Sequence, residues 1–441
     1  MAKLTDQYSE EKFGEFIKNH FTPSDVIRTP TKLFGRNGAL SDIERAFQSP
    51  GRHVFVYGDR GVGKSSVAET AAFKLNEYGD PIVIQCTRKT TLFEAIQDIA
   101  SSVYDRSDRF DPPTNGRNVQ LTIPGTGRAE VGGKKASRVE VPKPKSLNEC
   151  FDLLRYVDQK TQGQTVIVLD EFDNIQDTDV LHDFAEFMKG LPTISDTGLK
   201  FTFCGIFLTL DELIARHRSI GRQFETIALE PVSYGNLFHI VEAASEEIGI
   251  EIGEAFLTRI AVLSDRFPHF VHLFGMYVFW HLFDIEYEGE EITRSHYKHG
   301  VKSTLSRAEP ELRLTYDKAI RKYSHADQYE LALWAFADRG ETMSQMKKVY
   351  TDSYLRIAGQ LGIEDEEFME PKDFGRRVYN LKLDRHGNIL IPALDKSGWY
   401  QFRENRMRGF CRLKADQAGA MLCEEWIADL TKMRKRGQHI A

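Results

Sequence analysis

The chain has 441 residues, 41% of them hydrophobic and 28% charged, with a net charge of −7. That length exceeds what one core usually serves, so two or three domains are expected, and the composition is ordinary for a soluble globular protein. The negative balance argues against wholesale coating of nucleic acid. The five scattered cysteines form no C-x-x-C pair, and neither the polar start nor the short apolar run at 274–283 makes a signal core or a membrane span; a reduced, cytoplasmic protein is expected.

Residues 1–50 read as an entry segment: a polar helix, a proline-containing stretch, the phrase Leu33-Phe34-Gly35-Arg36 and a helix over about 37–47. The run VFVYGDRGVGKSS follows. A buried strand over 53–57 leads into a glycine loop and a helix over about 64–76, and Gly58, Gly63, Lys64 and Ser65 satisfy G-x-x-x-x-G-K-[ST]. Such a loop wraps backbone N–H groups around a polyphosphate, where side chains would collide with the phosphate oxygens. The positive end of the following helix faces the same anion. Gly58, Asp59, Arg60, Gly61, Val62, Gly63, Lys64, Ser65 and Ser66 are therefore the expected nucleotide-binding residues. Lys64 would reach the β- and γ-phosphates and the Ser65 hydroxyl would hold magnesium.

A second strand is expected over 81–85 and a helix near 92–104. Residues 105–145 then break the pattern, being rich in Gly, Pro, Arg and Lys. Either 119–123 and 138–141 pair as an exposed hairpin around Gly132-Gly133, or the stretch is a flexible basic insertion that touches DNA or an adjacent subunit. A helix near 147–159 leads to TVIVLD, a third strand over 165–170; a helix over 180–191, a strand over 199–206 and a short strand over 225–229 follow. Strands alternating with helices argue for a parallel sheet covered on both faces. Hydrolysis needs an acidic element besides the glycine loop, and VIVLDE supplies it: Asp170 would hold the magnesium and Glu171 would polarise the water attacking the γ-phosphate.

From 234 to about 322 the signals are helical only. Beyond 324, helices are expected near 327–338, 343–361 and 371–382, then a hairpin of 388–394 and 399–403 around Lys396-Ser397-Gly398, and an amphipathic helix over 415–434. Three helices plus a β-wing is the winged-helix order. In the third, Phe374, Val378 and Leu381 recur at helical spacing and should face the core. Lys372, Arg376, Arg377 and Asn380 then fall on other faces, which suits a major groove. Arg403, Arg406, Arg408 and Arg412 follow as phosphate contacts. Residues 371–414 hold 11 Lys/Arg against 4 Asp/Glu, one basic segment in an acidic chain. A winged helix with this charge serves either DNA or a docking protein.

The glycine loop, the Asp-Glu pair closing the third strand and the helices behind them resemble the AAA+ ATPases. The LFGR entry, the phrase PGRHVFVYGDRGVGKSS and the C-terminal winged helix narrow the resemblance, over about 33–413, to the origin-recognition-complex-like branch and the related STAND ATPases. It implies an α/β P-loop NTPase domain over 51–232 with a parallel sheet, an all-α lid over 233–322, a winged-helix domain over 323–414 and a terminal helix over 415–441. ATP and Mg2+ would be the ligands, with double-stranded DNA and a homo-oligomer or partner protein as partners, and no membrane. Arg36 would lie in the loop that closes over the adenine base. Arg216, Arg218 and Arg222 are candidates for an arginine finger, and Arg222, just before the fifth strand, resembles it best. Cys204 and Thr209 stand where an asparagine is usual beside the attacking water, and His269 stands where an arginine usually meets the phosphates. Both departures favour a slow switch over fast hydrolysis. The alternative is a STAND-like signalling or defence ATPase whose winged helix docks a partner. The pairs His269/His272 and His296/His299 share helix faces, but no carboxylate or cysteine cluster completes a metal site.

Overall fold

The computed structural model describes residues 3–23, 25–77, 79–110, 141–161, 163–216, 220–320, 325–393 and 396–436. They form two compact units: Val26–Asp59 with Gly63–Glu230, and Met1–Asp25 with Arg60–Val62 and Pro231–Ala441. The entry segment is shared between the units, and the helical region joins everything that follows it. The expected hairpin of 119–123 and 138–141 lies outside the described residues apart from Val141, which is buried and accepts a hydrogen bond from Gln97.

The nucleotide unit is built on β1 (His53–Gly58), β2 (Ile82–Gln85), β3 (Thr165–Asp170), β4 (Leu199–Gly205) and β5 (Phe224–Leu229). All pair in parallel, in the order β2-β3-β4-β1-β5. Helices α1 (Asn37–Gln48), α2 (Lys64–Leu75), α3 (Leu92–Phe110), α4 (Leu147–Lys160), α5 (Thr178–Gly190) and α6 (Phe207–Arg216) accompany it. Strands covered on both faces must be apolar throughout, and every residue of β3 is buried. Between the strands and helices lies an aromatic core, in which Phe172 meets Phe203 edge-on at 5.4 Å and Phe184 at 4.9 Å. Phe172 directly follows Glu171, so its burial anchors the chain just past the acidic pair. Residues 26–28 are tied to α2: Ile27 N–H donates to Ser66 Oγ, Thr70 donates to the Ile27 carbonyl, and Arg28 pairs with the buried Glu69.

The second unit contains α7 (Tyr234–Ile248), α8 (Glu254–Leu263), α9 (Pro268–Asp284), α10 (Arg294–Arg307), α11 (Pro310–Ile320) and α12 (Ala326–Ala337). Helix α9 is apolar nearly all round and therefore buried. Helix Glu10–His20 lays Phe13 on it, stacked on Phe283 at 4.5 Å. After α12 come β6 (Met343–Gln345), a helical run of Met346–Lys348, π-helical Val349–Tyr354 and Leu355–Gln360, then α13 (Pro371–Leu381), β7 (Leu390–Pro392) and β8 (Trp399–Phe402). The strands form an antiparallel sheet ordered β6-β8-β7. Strand β6 had been expected as the start of a helix; three residues are too few to show a period. The terminal helix also differs. There are two, α14 (Asn405–Ala418) and α15 (Glu424–Lys435), separated because Gly419 takes a left-handed φ of 93° that ends α14.

A buried ion cluster joins α8 to α14. Asp265, two residues past α8, accepts from Arg408 Nε at 2.6 Å and Nη2 at 2.8 Å and from Arg412 Nη1 at 2.8 Å. Arg412 is 0% exposed and also donates to the carbonyls of Val262, Ala337 and Arg339. Asp265 and Arg266 both hold left-handed backbone, at φ 55° and 66°. Arg266 is fixed there by its bonds to the Pro231 and Val232 carbonyls.

Candidate nucleotide site and basic face

The parallel sheet places the carboxyl ends of β1, β4 and β3 side by side, since β4 pairs with both others. Ligands of open α/β sheets bind at that edge. Where β1 ends, Gly61 and Gly63 take φ of 83° and 95°. A Cβ on Gly63 would meet nothing within 4 Å, so the left-handed backbone, not crowding, calls for glycine there. Gly63 is the N-cap of α2, whose first turn thereby points free N–H groups out of the loop. Lys64 folds back over the loop and donates to the carbonyls of Gly58 and Asp59, both at 3.0 Å. Burial pulls its pKa down, opposed by the nearby Asp173 and Asp170 carboxylates. This ammonium is pre-positioned and poorly hydrated, which suits exchange of carbonyl partners for phosphate.

Strand β3 delivers Asp170, 3% exposed, to the same edge. Its Oδ1 accepts the Glu171 N–H at 2.8 Å and its Oδ2 accepts Gln85 Nε2 at 3.4 Å. Burial, followed by the nearby Asp170 carboxylate, pushes the pKa of the Cys204 thiol of β4 well above the usual thiol value. Cys204 is thus a neutral thiol beside Asp170. Thr209 is buried on α6. Glu171 turns away into solvent at φ 52°, and Asn174 Nδ2 bridges its Oε2 and the Cys86 carbonyl, each at 3.0 Å. Asn174 was missed from the sequence, although its place three residues after Glu171 was the available signal. Oxygen donors with few protein ligands suit Mg2+, which keeps phosphate and water in most positions. Ser65 and Asp170 fit that donor set, while no group of three or more His, Cys, Asp or Glu among the described residues could hold a metal by itself.

Other expected residues fall in several environments. Arg36 is buried. The Ser66 hydroxyl is taken by the Ile27 N–H. Arg222 is exposed on the short helix Ile220–Gln223 that runs into β5. Arg218 lies outside the described residues. His269 belongs to the second unit, where its Nδ1 lies 2.7 Å from the Pro23 carbonyl and its Nε2 is buried without a partner. Burial lowers its pKa, so the ring is neutral, with Nδ1–H donating to the Pro23 carbonyl. It then offers a lone pair, not a proton, at Nε2, which does not suit the expected phosphate contact.

The basic segment needs correction. Arg377 is buried, doubly bonded to Gln328 at 3.0 and 2.8 Å, with its guanidinium over the Tyr329 ring. Arg406 is buried in ion pairs with Glu309 and Glu404. Arg408 and Arg412 sit in the Asp265 cluster. These four arginines hold the second unit together and are not available to phosphates. Asn380 is half-buried, donating to Tyr329 Oη at 2.7 Å and accepting from Arg385. Arg376 and Arg403 are exposed. Lys372, Arg376 and Tyr379 share the exposed stripe of α13, with Lys382 over the Tyr379 ring at 4.7 Å and Lys396 over Trp399 at 4.8 Å.

The AAA ATPase domain family matches residues 32–195. The chain carries an AAA ATPase domain. An ORC1-type DNA replication protein of Halobacterium salinarum is 23% identical over 176 residues, 38% of this chain and 36% of that protein. The chain thus aligns with about a third of the length of the curated relative it matches. A Walker-type ATPase of Pyrococcus abyssi superposes with a TM-score of 0.51 at 17% identity, covering 88% of this chain and 99% of that one. Cdc6p of Pyrobaculum aerophilum gives 0.44 at 16% identity, covering 95% and 98%. At such identity the Pyrococcus likeness concerns the fold alone. No described helix is long and apolar enough to cross a membrane.

Proposed function

We propose that this AAA ATPase domain protein is a nucleotide-dependent DNA-binding switch. ATP with Mg2+ would sit on residues 58–66. Lys64 would hold the β- and γ-phosphates, Ser65 and Asp170 the cation, Glu171 the attacking water, and Arg222 would act on a neighbouring copy. The elements α12, β6, the run to Gln360, α13, β7 and β8 follow the winged-helix order, and α13 would enter a major groove. One observation carries the DNA reading: Lys372, Arg376 and Tyr379 form an exposed stripe with Lys382 over the Tyr379 ring, and Lys396 and Arg403 are exposed at the β7–β8 hairpin, while the apolar side of α13 is packed away. The ORC1-type relative supports it. The burial of Arg377 and Arg406, with Tyr379 left 57% exposed, favours the second reading, a STAND-like ATPase that docks a protein through the same face.

Fluorescence anisotropy with labelled duplex DNA separates the two. The double variant Lys372→Glu/Arg376→Glu is expected to weaken binding at least tenfold and to flatten the salt dependence by about two counterions. Unchanged DNA affinity would assign the face to a protein partner instead.

A further inference from the structure

Away from the nucleotide loop and from α13, helices α10, α11 and α14 and the link to α15 enclose two adjoining hollows. One, about 450 Å³, is walled by Lys302, Arg313, Leu314 and Lys414 over Phe410. The other, about 730 Å³, is walled by Arg294, Lys298, Lys302 and Met421. Lys302 and Gln417 line both, so they form one groove. Arg294, Lys298 and Lys302 recur at i, i+4 and i+8 and are exposed along a single stripe of α10. Arg294, Lys302 and Arg313 make no ion pair among the described residues. The facing acids are Asp416, which is bound to Arg259, and Asp317.

The apolar side chains of the groove decide what kind of ligand it fits. Leu314 is 68% exposed and Met421 41%, two of only four large hydrophobic residues so exposed among those described. A phosphate backbone has no use for hydrocarbon, whereas an acidic polypeptide with apolar side chains matches both the cations and the exposed apolar side chains. The chain itself presents such a segment. Between Leu355–Gln360 and α13 it reads Ile363-Glu364-Asp365-Glu366-Glu367-Phe368-Met369-Glu370. Glu364 to Glu367 are exposed around a single 3-10 turn and make no ion pair among the described residues, while Ile363 and Phe368 are half-buried beside them.

We infer that the basic groove of one copy takes the acidic segment 363–370 of a second copy. The two surfaces are different, so the contact is heterologous and joins copies head to tail, closing a ring or extending a filament. It lies outside the ATPase domain and does not depend on the reading of α13. A chain of net charge −7 repels its copies at long range. Association must therefore come from this local complementarity, and salt must weaken it within a Debye length of about 10 Å at 0.1 M.

Sedimentation velocity of the full chain, at low and high salt across the micromolar range, tests the contact. Lys298→Glu/Lys302→Glu and Glu366→Lys/Glu367→Lys are each expected to weaken association at least tenfold. Mixing the two variants should restore it, because one complementary interface survives. All four positions are exposed, and circular dichroism melts like those of the unaltered chain verify that both variants are folded. A labelled peptide of residues 362–371 should bind the full chain, and the same peptide with its acids replaced by Asn and Gln should not. The inference is overturned by a monomer that ignores the peptide, by association indifferent to both variants, or by a mixture that fails to recover. Loss of duplex DNA binding in Lys298→Glu/Lys302→Glu with association intact would also overturn it, giving the groove to nucleic acid.

Discussion

Asp265→Ala is expected to destabilise the second unit by about 3–5 kcal/mol, since removing one partner of a buried ion cluster leaves the others uncompensated. The case is severe because, among the described residues, Asp265 is the one carboxylate bonded to both Arg408 and Arg412. Arg412 cannot escape to solvent, being 0% exposed and fixed by three backbone carbonyls. Nor can it discharge, since a guanidinium stays protonated at any accessible pH. Thermal unfolding followed by circular dichroism should show a transition on the order of 10 °C lower. Asp265→Asn should fall in between, keeping acceptor oxygen but losing charge. Arg376→Ala, on an exposed position, should leave the melt within about 0.5 kcal/mol of the original. An Asp265→Ala protein melting like its parent would show that this cluster contributes no stability.

The same cluster explains what the sequence could not disclose. The five parallel strands were legible to within about a residue because strands buried on both faces are written as unbroken apolar runs, as in TVIVLD. The glycine loop was legible because its chemistry is local: glycine where φ is positive, then Lys and Ser at the head of a helix. Arg406, Arg408 and Arg412 were read as phosphate contacts because nothing within a helical turn or two marks an arginine as buried. Apart from Glu404, which also pairs with Arg406, the acids that neutralise them, Asp265 and Glu309, lie about 100 to 150 positions earlier in the chain. Charge periodicity along one helix cannot show such a partner. Asn174 was overlooked for a different reason. Its contact with Glu171 depends on the left-handed turn at Glu171 and on Phe172 plunging into the core, and an asparagine in a loop is otherwise unremarked.

Glu171→Gln should separate nucleotide binding from turnover. The carboxylate lies next to Asp170, yet its own backbone turn carries it out of the sheet edge to where Asn174 restrains one oxygen and the other stays open. Glutamine keeps the size and the Asn174 contact but cannot take a proton from water, so steady phosphate release should drop roughly a hundredfold or more. ATP affinity should move little, because this side chain touches none of the loop that cradles phosphate. Lys64→Ala acts on the other half of the problem. It removes a charged donor already stripped of water and held at 3.0 Å from two loop carbonyls, so ATP affinity should fall about tenfold to a hundredfold. Calorimetric titration with ATP and Mg2+, alongside a phosphate-release assay, reads both. The opposite pattern, Glu171→Gln failing to bind or Lys64→Ala binding as before, would mean that the loop and the acidic turn do not work as an ATPase centre. If both variants bind and neither releases less phosphate than the parent, turnover resides elsewhere. The paired design matters because each variant is the other's control: one leaves the phosphate cradle whole, and the other leaves the acidic turn whole.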